Sequence, residues 1–215
     1  MEAVLRHMIS PSVSPPLGPV QPGSGDEALV LAARAGDPQA YRGIWEKHGA
    51  LVERLVRRFF GPGPDHPDVC QEVFLRLFKR LDELRNPSAL PGFIVSIALG
   101  VARNELRRRR IRAIVGLSPP EELPPAAAPA QNVEVREAVL ALYRVLDKLS
   151  AEDRSLFVAR FVEAMEMAEV AAAHGMSLST AKRRIARLGQ RVDALVKSEP
   201  ALAEYNGQST QGGVS

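Results

Sequence analysis

The chain has a single cysteine, Cys70, so no intramolecular disulfide can staple it, and a lone thiol suits a reducing compartment. Long apolar runs are missing as well. The longest, FIVSIALGVA at 93–102, stops in arginines at about half of the roughly 20 residues that a membrane-crossing helix needs. The N-terminal MEAVLRHMISPSVSPPLGPVQPGSG is broken by prolines and has no continuous apolar centre, which argues against a secretory signal. No stretch alternates apolar and polar residues in the manner of a strand, leaving helix as the expected regular structure. Catalytic constellations are also lacking: neither a Ser/His/Asp set nor paired carboxylates stand out, and His7, His48 and His174 are scattered. GPGPDH contains a GxG, but no strand precedes it. His66 and Cys70, with Asp65 and Asp68 nearby, have too few companions for a metal site. The expectation is a soluble, cytoplasmic protein that is not an enzyme, with no membrane insertion, metal, cofactor or small-molecule substrate.

What is present is apolar material and clustered charge. An apolar fraction of 46% over 215 residues is enough to build one medium core or two small ones. Formal net charge is only +3 although the isoelectric point is near 9.3, so the placement of charge matters more than its sum. RNELRRRRIR at 103–112 holds six arginines in ten positions, at the end of an otherwise apolar helix pattern. Arginine offers a fork that pairs with phosphate in a way lysine does not.

Two segments read as breaks. Residues 1–25 are rich in Pro, Gly and Ser, and SPPEELPPAAAPAQN at 118–132 carries five prolines, a composition that keeps a chain extended. The expected organisation is all-α: a disordered leader 1–25, a helical domain 26–113, a flexible linker 114–132, a second helical domain 133–197 and a disordered tail 198–215.

Within the first domain, Asp26 is the expected N-cap of ALVLAARAG, which Gly36 stops. Asp37-Pro38 then starts a long helix ending near Phe60, with Tyr41, Ile44, Trp45, His48, Leu51, Val52, Leu55 and Phe59 on its buried face. From Asp68, Val69, Val73, Leu77, Leu81 and Leu84 predict one helix closed by Asn86-Pro87. A fourth helix follows Pro91-Gly92 and runs into the arginines. In the second domain, Val139, Leu142, Leu146 and Leu149 form one stripe, and Leu156, Phe157 and Phe161 another.

MEMAEVAAAHGMSLSTAKRRIARLGQRVDAL has the spacing of a helix-turn-helix: a short alanine-rich helix, Gly175 at the turn, Met176 pointing inward, Ser177 or Ser179 as cap, then a second helix. Ala181, Ile185, Leu188 and Val192 take its core face, leaving Thr180, Lys182, Arg183, Arg184, Ala186, Arg187 and Arg191 for the surface. Small hydroxyl residues followed by Lys and Arg suit a helix whose first turns enter a major groove.

With these pieces in order, the first domain, from DEALVLAARAGDPQAYRGIWEKH through DVCQEVFLRLFKRL to PGFIVSIALGVARNELRRRR, resembles region 2 of bacterial RNA polymerase sigma factors, and the second is similar to their region 4. The layout matches the extracytoplasmic-function (ECF) group of the sigma-70 superfamily. The resemblance implies a transcription initiation factor that binds core polymerase and places it on promoter DNA. It implies that Asp68, Gln71, Glu72 and Leu75 meet the clamp of the largest polymerase subunit, and that residues 150–165 pack on the flap. The loop from Asn86 to Gly92, with Ser88, would capture a flipped promoter base; Arg103, Asn104, Arg107, Arg108 and Arg110 would support the promoter duplex and opened strand. In region 4, Lys182, Arg183 and Arg187 would read the upstream element, with Ser177, Ser179, Thr180 and Arg184 mainly on phosphates. An anti-sigma factor is a common partner in the family, though no residue here specifies one. The chain departs from the family pattern at Phe93-Ile94, at Leu99 and Gly100, where Arg and Asn are usual, at Asn104, where Asp is usual, and at Arg183, where a small residue is frequent. The alternatives are a helix-turn-helix regulator acting without polymerase, a helical protein that binds an acidic partner, and an undetected enzyme.

Overall fold

The computed structural model describes residues 25–61, 66–115 and 133–202, and the regular structure among them is all helical. The expected leader up to residue 24, nearly all of the linker, most of the GPGPDH turn and the tail beyond 202 lie outside the described residues.

Helix α1 (Asp26–Arg34) begins one residue earlier than its sequence suggests, with Gly25 in the left-handed region at φ 84° as N-cap. Asp26 does not cap. Its side chain is fully buried and its Oδ1 turns to the next helix, 2.7 Å from Lys47 Nζ and 3.0 Å from His48 Nε2. Helix α2 (Pro38–Phe60) starts as expected: Asp37 accepts from the Gln39 amide at 2.9 Å, and Pro38 occupies the first turn, where a missing N–H costs nothing. Ile44, His48, Val52, Leu55 and Phe59 are buried, whereas Trp45, expected inside, is 44% exposed.

Helix α3 (His66–Lys79) is shorter than the leucine spacing predicts. The chain tightens after Lys79 into a 3₁₀ turn, Leu81–Glu83, which still buries Leu81 and Leu84 because an i, i+3 repeat survives in that geometry. Arg34 of α1 donates to the carbonyls of Leu81 and Leu84 and so takes acceptors that a continuing helix would use for itself. A second 3₁₀ turn, Pro87–Ala89, is capped by Asn86, whose side chain accepts from the Ser88 amide at 3.1 Å. Helix α4 (Leu90–Ile114) then runs through the arginine cluster with Pro91 in its first turn. By length and composition α4 could span a bilayer, but Ile94, Val95, Ala98 and Ala102 are fully buried against the other helices.

The second unit comprises α5 (Val133–Asp147), α6 (Ala151–Phe157), α7 (Met167–Ala173) and α8 (Leu178–Lys197). Ser150 caps α6 by accepting from the Asp153 amide, and the helix widens at its end into a π turn, Val158–Val162. Ala164 follows with φ 54°, an uncommon conformation for a residue with a Cβ. Part of the expected tail is packed: Leu202 is buried, and Glu199 accepts from Arg144 at 2.7 Å.

The two units are docked on each other, with α4 against α6 and α7. Arg58 Nη1 of α2 donates to both carboxylate oxygens of Glu163 at 3.1 Å, and both side chains are almost wholly buried. Arg154 of α6, 2% exposed, donates from Nε to the Phe59 carbonyl at 2.8 Å and pairs with Asp147. Tyr143 donates to the Arg58 carbonyl at 3.3 Å, and its ring lies where any Cβ on Gly61 would fall, 3.1 Å away.

Candidate nucleic-acid interface

The helix-turn-helix is built by local chemistry. Glu166 and Glu169 form a reciprocal capping box that starts α7, and Gly175 at φ 62° supplies the left-handed turn that ends it. Of the two candidate serines, Ser177 is the cap of α8, accepting from the Thr180 amide at 3.3 Å. Its hydroxyl also lies 3.1 Å from Ser179 Oγ and donates to Thr180 Oγ1 at 2.9 Å. Ala181, Ile185, Leu188 and Val192 are buried as the spacing predicts, which turns Lys182, Arg183 and Arg187 to solvent. Arg184 is only partly exposed and lies 3.7 Å from Asp153 of α6.

The arginine run has a different setting. Glu105 gathers Arg108, Arg109 and Arg112 along one face of α4, and the Arg109 guanidinium stacks over the Phe60 ring with 4.5 Å to its centroid. Arg107 pairs with Glu152 of α6, and Arg103 lies 3.9 Å from the same carboxylate. Arg110 donates to the Asp147 carbonyl at 3.0 Å, and Asn104 accepts from Arg107 at 3.3 Å. Arg108 is the most open of the cluster assigned to DNA, with 65% of its side chain exposed. Asn86 and Ser88 sit at the opposite end of α4, joined by the cap described above. Of the two departures next to this surface, Leu99 is core and Gly100 faces open space, so neither position presents a polar group.

Asp68, Gln71 and Leu75 are exposed and Glu72 half-buried on α3; Glu72 accepts from Arg76 at 2.6 Å. Beside them a groove of about 690 Å³ opens between α2 and α3, lined by Trp45, Cys70, Gln71, Phe74 and Leu75 among others. Trp45 stacks on Phe74 with centroids 4.3 Å apart and keeps its outer face in solvent; Leu75 is 48% exposed. Two large apolar side chains are thus left open next to polar ones. Burial, seconded by the nearby Glu53 carboxylate, pushes the Cys70 thiol above its ordinary value, so it is not a reactive thiolate.

Burial also holds the His174 imidazole below its usual value, with Arg103 and Arg184 acting in the same direction against the Val170 carbonyl. Nδ1 faces that carbonyl at 2.9 Å and must donate to it, which leaves Nε2 to accept from the buried Ser155 hydroxyl at 2.9 Å. Burial raises the Tyr143 phenol to about 12 and lowers the Arg154 guanidinium, which nevertheless keeps Asp147 beside it.

Reading the sequence missed Arg58, Arg154 and Glu163, the groups that dock the two units. A signal was there: Glu163 stands seven residues after Leu156, on the same apolar stripe, where a solvated carboxylate does not belong.

Comparison with known proteins fits this arrangement. The family model for Sigma-70 region 2 matches residues 44–111, and that for Sigma-70, region 4 matches residues 139–188. The RNA polymerase sigma factor NccH of Alcaligenes xylosoxydans is 26% identical over 81% of this chain and 96% of its own length. The ECF RNA polymerase sigma-E factor of Escherichia coli is 26% identical over 80% of this chain and 94% of its own. The solved structure of CnrH, a sigma factor of Cupriavidus metallidurans, in complex with the cytosolic domain of CnrY superposes with a TM-score of 0.58 at 23% identity, covering 81% of this chain and 99% of that one. With a groove beside DVCQEVFLRLF on one unit, a basic helix-turn-helix on the other and both regions matched in order, the chain belongs to the ECF group of the sigma-70 family of RNA polymerase sigma factors, which bind core polymerase and direct promoter-specific transcription initiation.

Proposed function

We propose that this chain divides that task between its two units, residues 26–113 binding core polymerase and the melted promoter, and residues 133–197 reading the upstream duplex. The observation that carries the proposal is the open basic face of α8 behind the Ser177 cap: Lys182, Arg183 and Arg187 point to solvent at the turns that a major groove admits. Lys182, Arg183 and Arg187 contact base edges, and Ser177, Ser179, Thr180 and Arg184 contact phosphates. On the first unit, Asp68, Gln71, Glu72 and Leu75, with the groove floored by Phe74, receive the polymerase clamp helices, while residues 150–165 meet the flap. Asn86 and Ser88 hold a single-stranded base at the start of α4, and Arg103, Asn104, Arg107, Arg108 and Arg110 steady the adjoining DNA. Leu99 and Gly100 add no polar contact to that surface, so melting rests on the arginines and the loop before them.

The protein works in the cytoplasm, where its polymerase is, and acts by positioning rather than by catalysis of its own, with no cofactor or metal. CnrH is bound by the cytosolic domain of CnrY in its solved structure, and the sigma factor RpoE of Bartonella quintana by the anti-sigma factor NepR in its own; an anti-sigma factor is a proposed partner of this chain too. The test is transcription in vitro from genomic fragments with core polymerase of the source organism, with and without this chain, followed by mapping of RNA 5′ ends. New start sites that share an upstream motif are the expected result. Tight DNA binding without new transcripts would instead make it a helix-turn-helix regulator.

A further inference from the structure

We propose that Glu152 and Asp153, in the first turn of α6, form a built-in phosphate mimic that occupies arginines of both DNA-facing surfaces until nucleic acid displaces it. The inference rests on the assignment of Arg103, Arg107 and Arg184 to DNA made above. Consecutive helical residues diverge by roughly 100°, so neighbouring carboxylates look toward different elements. Glu152 faces α4, where it pairs with Arg107 and lies 3.9 Å from Arg103. Asp153 faces α8, 3.7 Å from Arg184 and 3.4 Å from Arg191. The preceding turn adds backbone acceptors to the same two helices: Arg110 donates to the Asp147 carbonyl at 3.0 Å and Arg191 to the Lys148 carbonyl at 3.2 Å. One short acidic turn thus bridges two basic surfaces that the sequence separates by about 70 residues.

Neither carboxylate is needed to cap its own helix. The Asp153 amide is satisfied by Ser150 Oγ at 3.0 Å, which leaves both acidic side chains turned outward to their arginines. Among the described residues, Asp153 is the one acidic group lining a cleft of about 210 Å³ whose other walls include Arg184, Arg187 and Arg191, a cationic site already holding an anion. The buried Arg58–Glu163 pair and Arg154 keep the two units docked, and so keep the mimic near its arginines.

Partial exposure sets how firmly it holds. Glu152 is 33% exposed and Arg107 49%, a range in which an ion pair is weak and is screened by salt. A DNA duplex presents far more phosphates than two carboxylates and releases counterions as it binds, so it displaces the mimic whereas isolated anions do not. The device lowers affinity for DNA in general and is overcome where further contacts add to the phosphates.

The test measures binding of the full chain to a mixed-sequence duplex of about three helical turns by fluorescence anisotropy over a series of salt concentrations. Glu152→Gln with Asp153→Asn is compared with wild type and with a charge-matched control, Glu46→Gln with Asp82→Asn, which neutralises two exposed carboxylates elsewhere. The expected result is a gain of about fivefold in affinity over the control at low salt. The slope of log K against log salt should also steepen by about one to two, because in wild type salt loosens the internal pairs that DNA must displace and so offsets part of the loss caused by fewer released DNA counterions. Affinity and slope equal to the control would overturn the mimic while leaving the DNA assignment in place. A lower melting temperature with no gain in affinity would reduce the two residues to structural ones and overturn it as well. Absence of duplex binding by all three proteins would remove the DNA assignment and this inference with it.

Discussion

The arginine-rich end of α4 and the basic face of α8 have comparable charge in the sequence but differ in what that charge can do. On α8, apolar residues at 181, 185, 188 and 192 claim one face, and Lys182, Arg183 and Arg187 are left exposed. On α4 the run is laced to Glu105 on its own helix, to Phe60 of α2 and to Glu152 and the Asp147 carbonyl of the other unit. Counting arginines therefore overstates the positive surface of α4 more than that of α8, where Arg184 and Arg191 meet Asp153 while Lys182, Arg183 and Arg187 stay open. Charge read from a sequence is a capacity, and the partners that the fold supplies determine how much of it an incoming polyanion meets.

The contrast depends on the two units staying docked, and the strongest way to break it is through their buried ion pair. Glu163→Gln leaves Arg58 without its counter-charge in a dry site, and the expected cost is about 3–5 kcal/mol in chemical denaturation. Arg58→Met with Glu163→Leu removes both charges and should recover most of that loss. Next in size is the difference between the two surfaces themselves. Arg187→Ala is expected to weaken binding to promoter duplex by about 1–3 kcal/mol, measured by titration at fixed salt. Arg109→Ala, on a side chain already covered by Phe60 and Glu105, should change it by no more than about 0.5 kcal/mol.

A third effect is set by pH. His174 sits between the units near Arg103 and Arg184, with its folded-state proton affinity lowered by burial. The unfolded chain then binds the proton more readily, so stability is fully present above the unfolded histidine value of about 6.5 and falls as pH drops through the lower folded value. Thermal melts from about pH 7.5 down to about pH 5 should show a decline that a His174→Gln variant flattens. The last effect is a modest gain. Gly100 lies inside α4 with nothing within 4 Å of an added Cβ, and Gly100→Ala should raise stability by about 0.5–1 kcal/mol in the same denaturation assay.

Much of the architecture was legible because helices announce themselves locally. Asp37-Pro38, Gly175 and Ser177 mark ends through side-chain and backbone chemistry that acts within three or four residues, and each is found doing so. The core face of α8 follows from period alone. Spacing was misleading where a distant group intervened. Leu81 and Leu84 continue the repeat of α3, but Arg34, about 50 residues away, takes their carbonyls and the helix stops at Lys79. Asp26 has the composition of a cap, yet His48 and Lys47 draw it into the core. Trp45 has the period of a buried residue, but its outer face opens on the groove beside Leu75.

Sequence alone determined the helical class, the order of the two units, the position of the helix-turn-helix and the family to which they point, since all of these rest on local propensity, periodicity and short motifs. Tertiary structure decided that the units dock, that Arg58, Glu163 and Arg154 hold them together, and that Glu152 and Asp153 stand on arginines of both. Those pairings join residues up to 105 positions apart. Their strength depends on burial and distance, which exist only once the chain has folded.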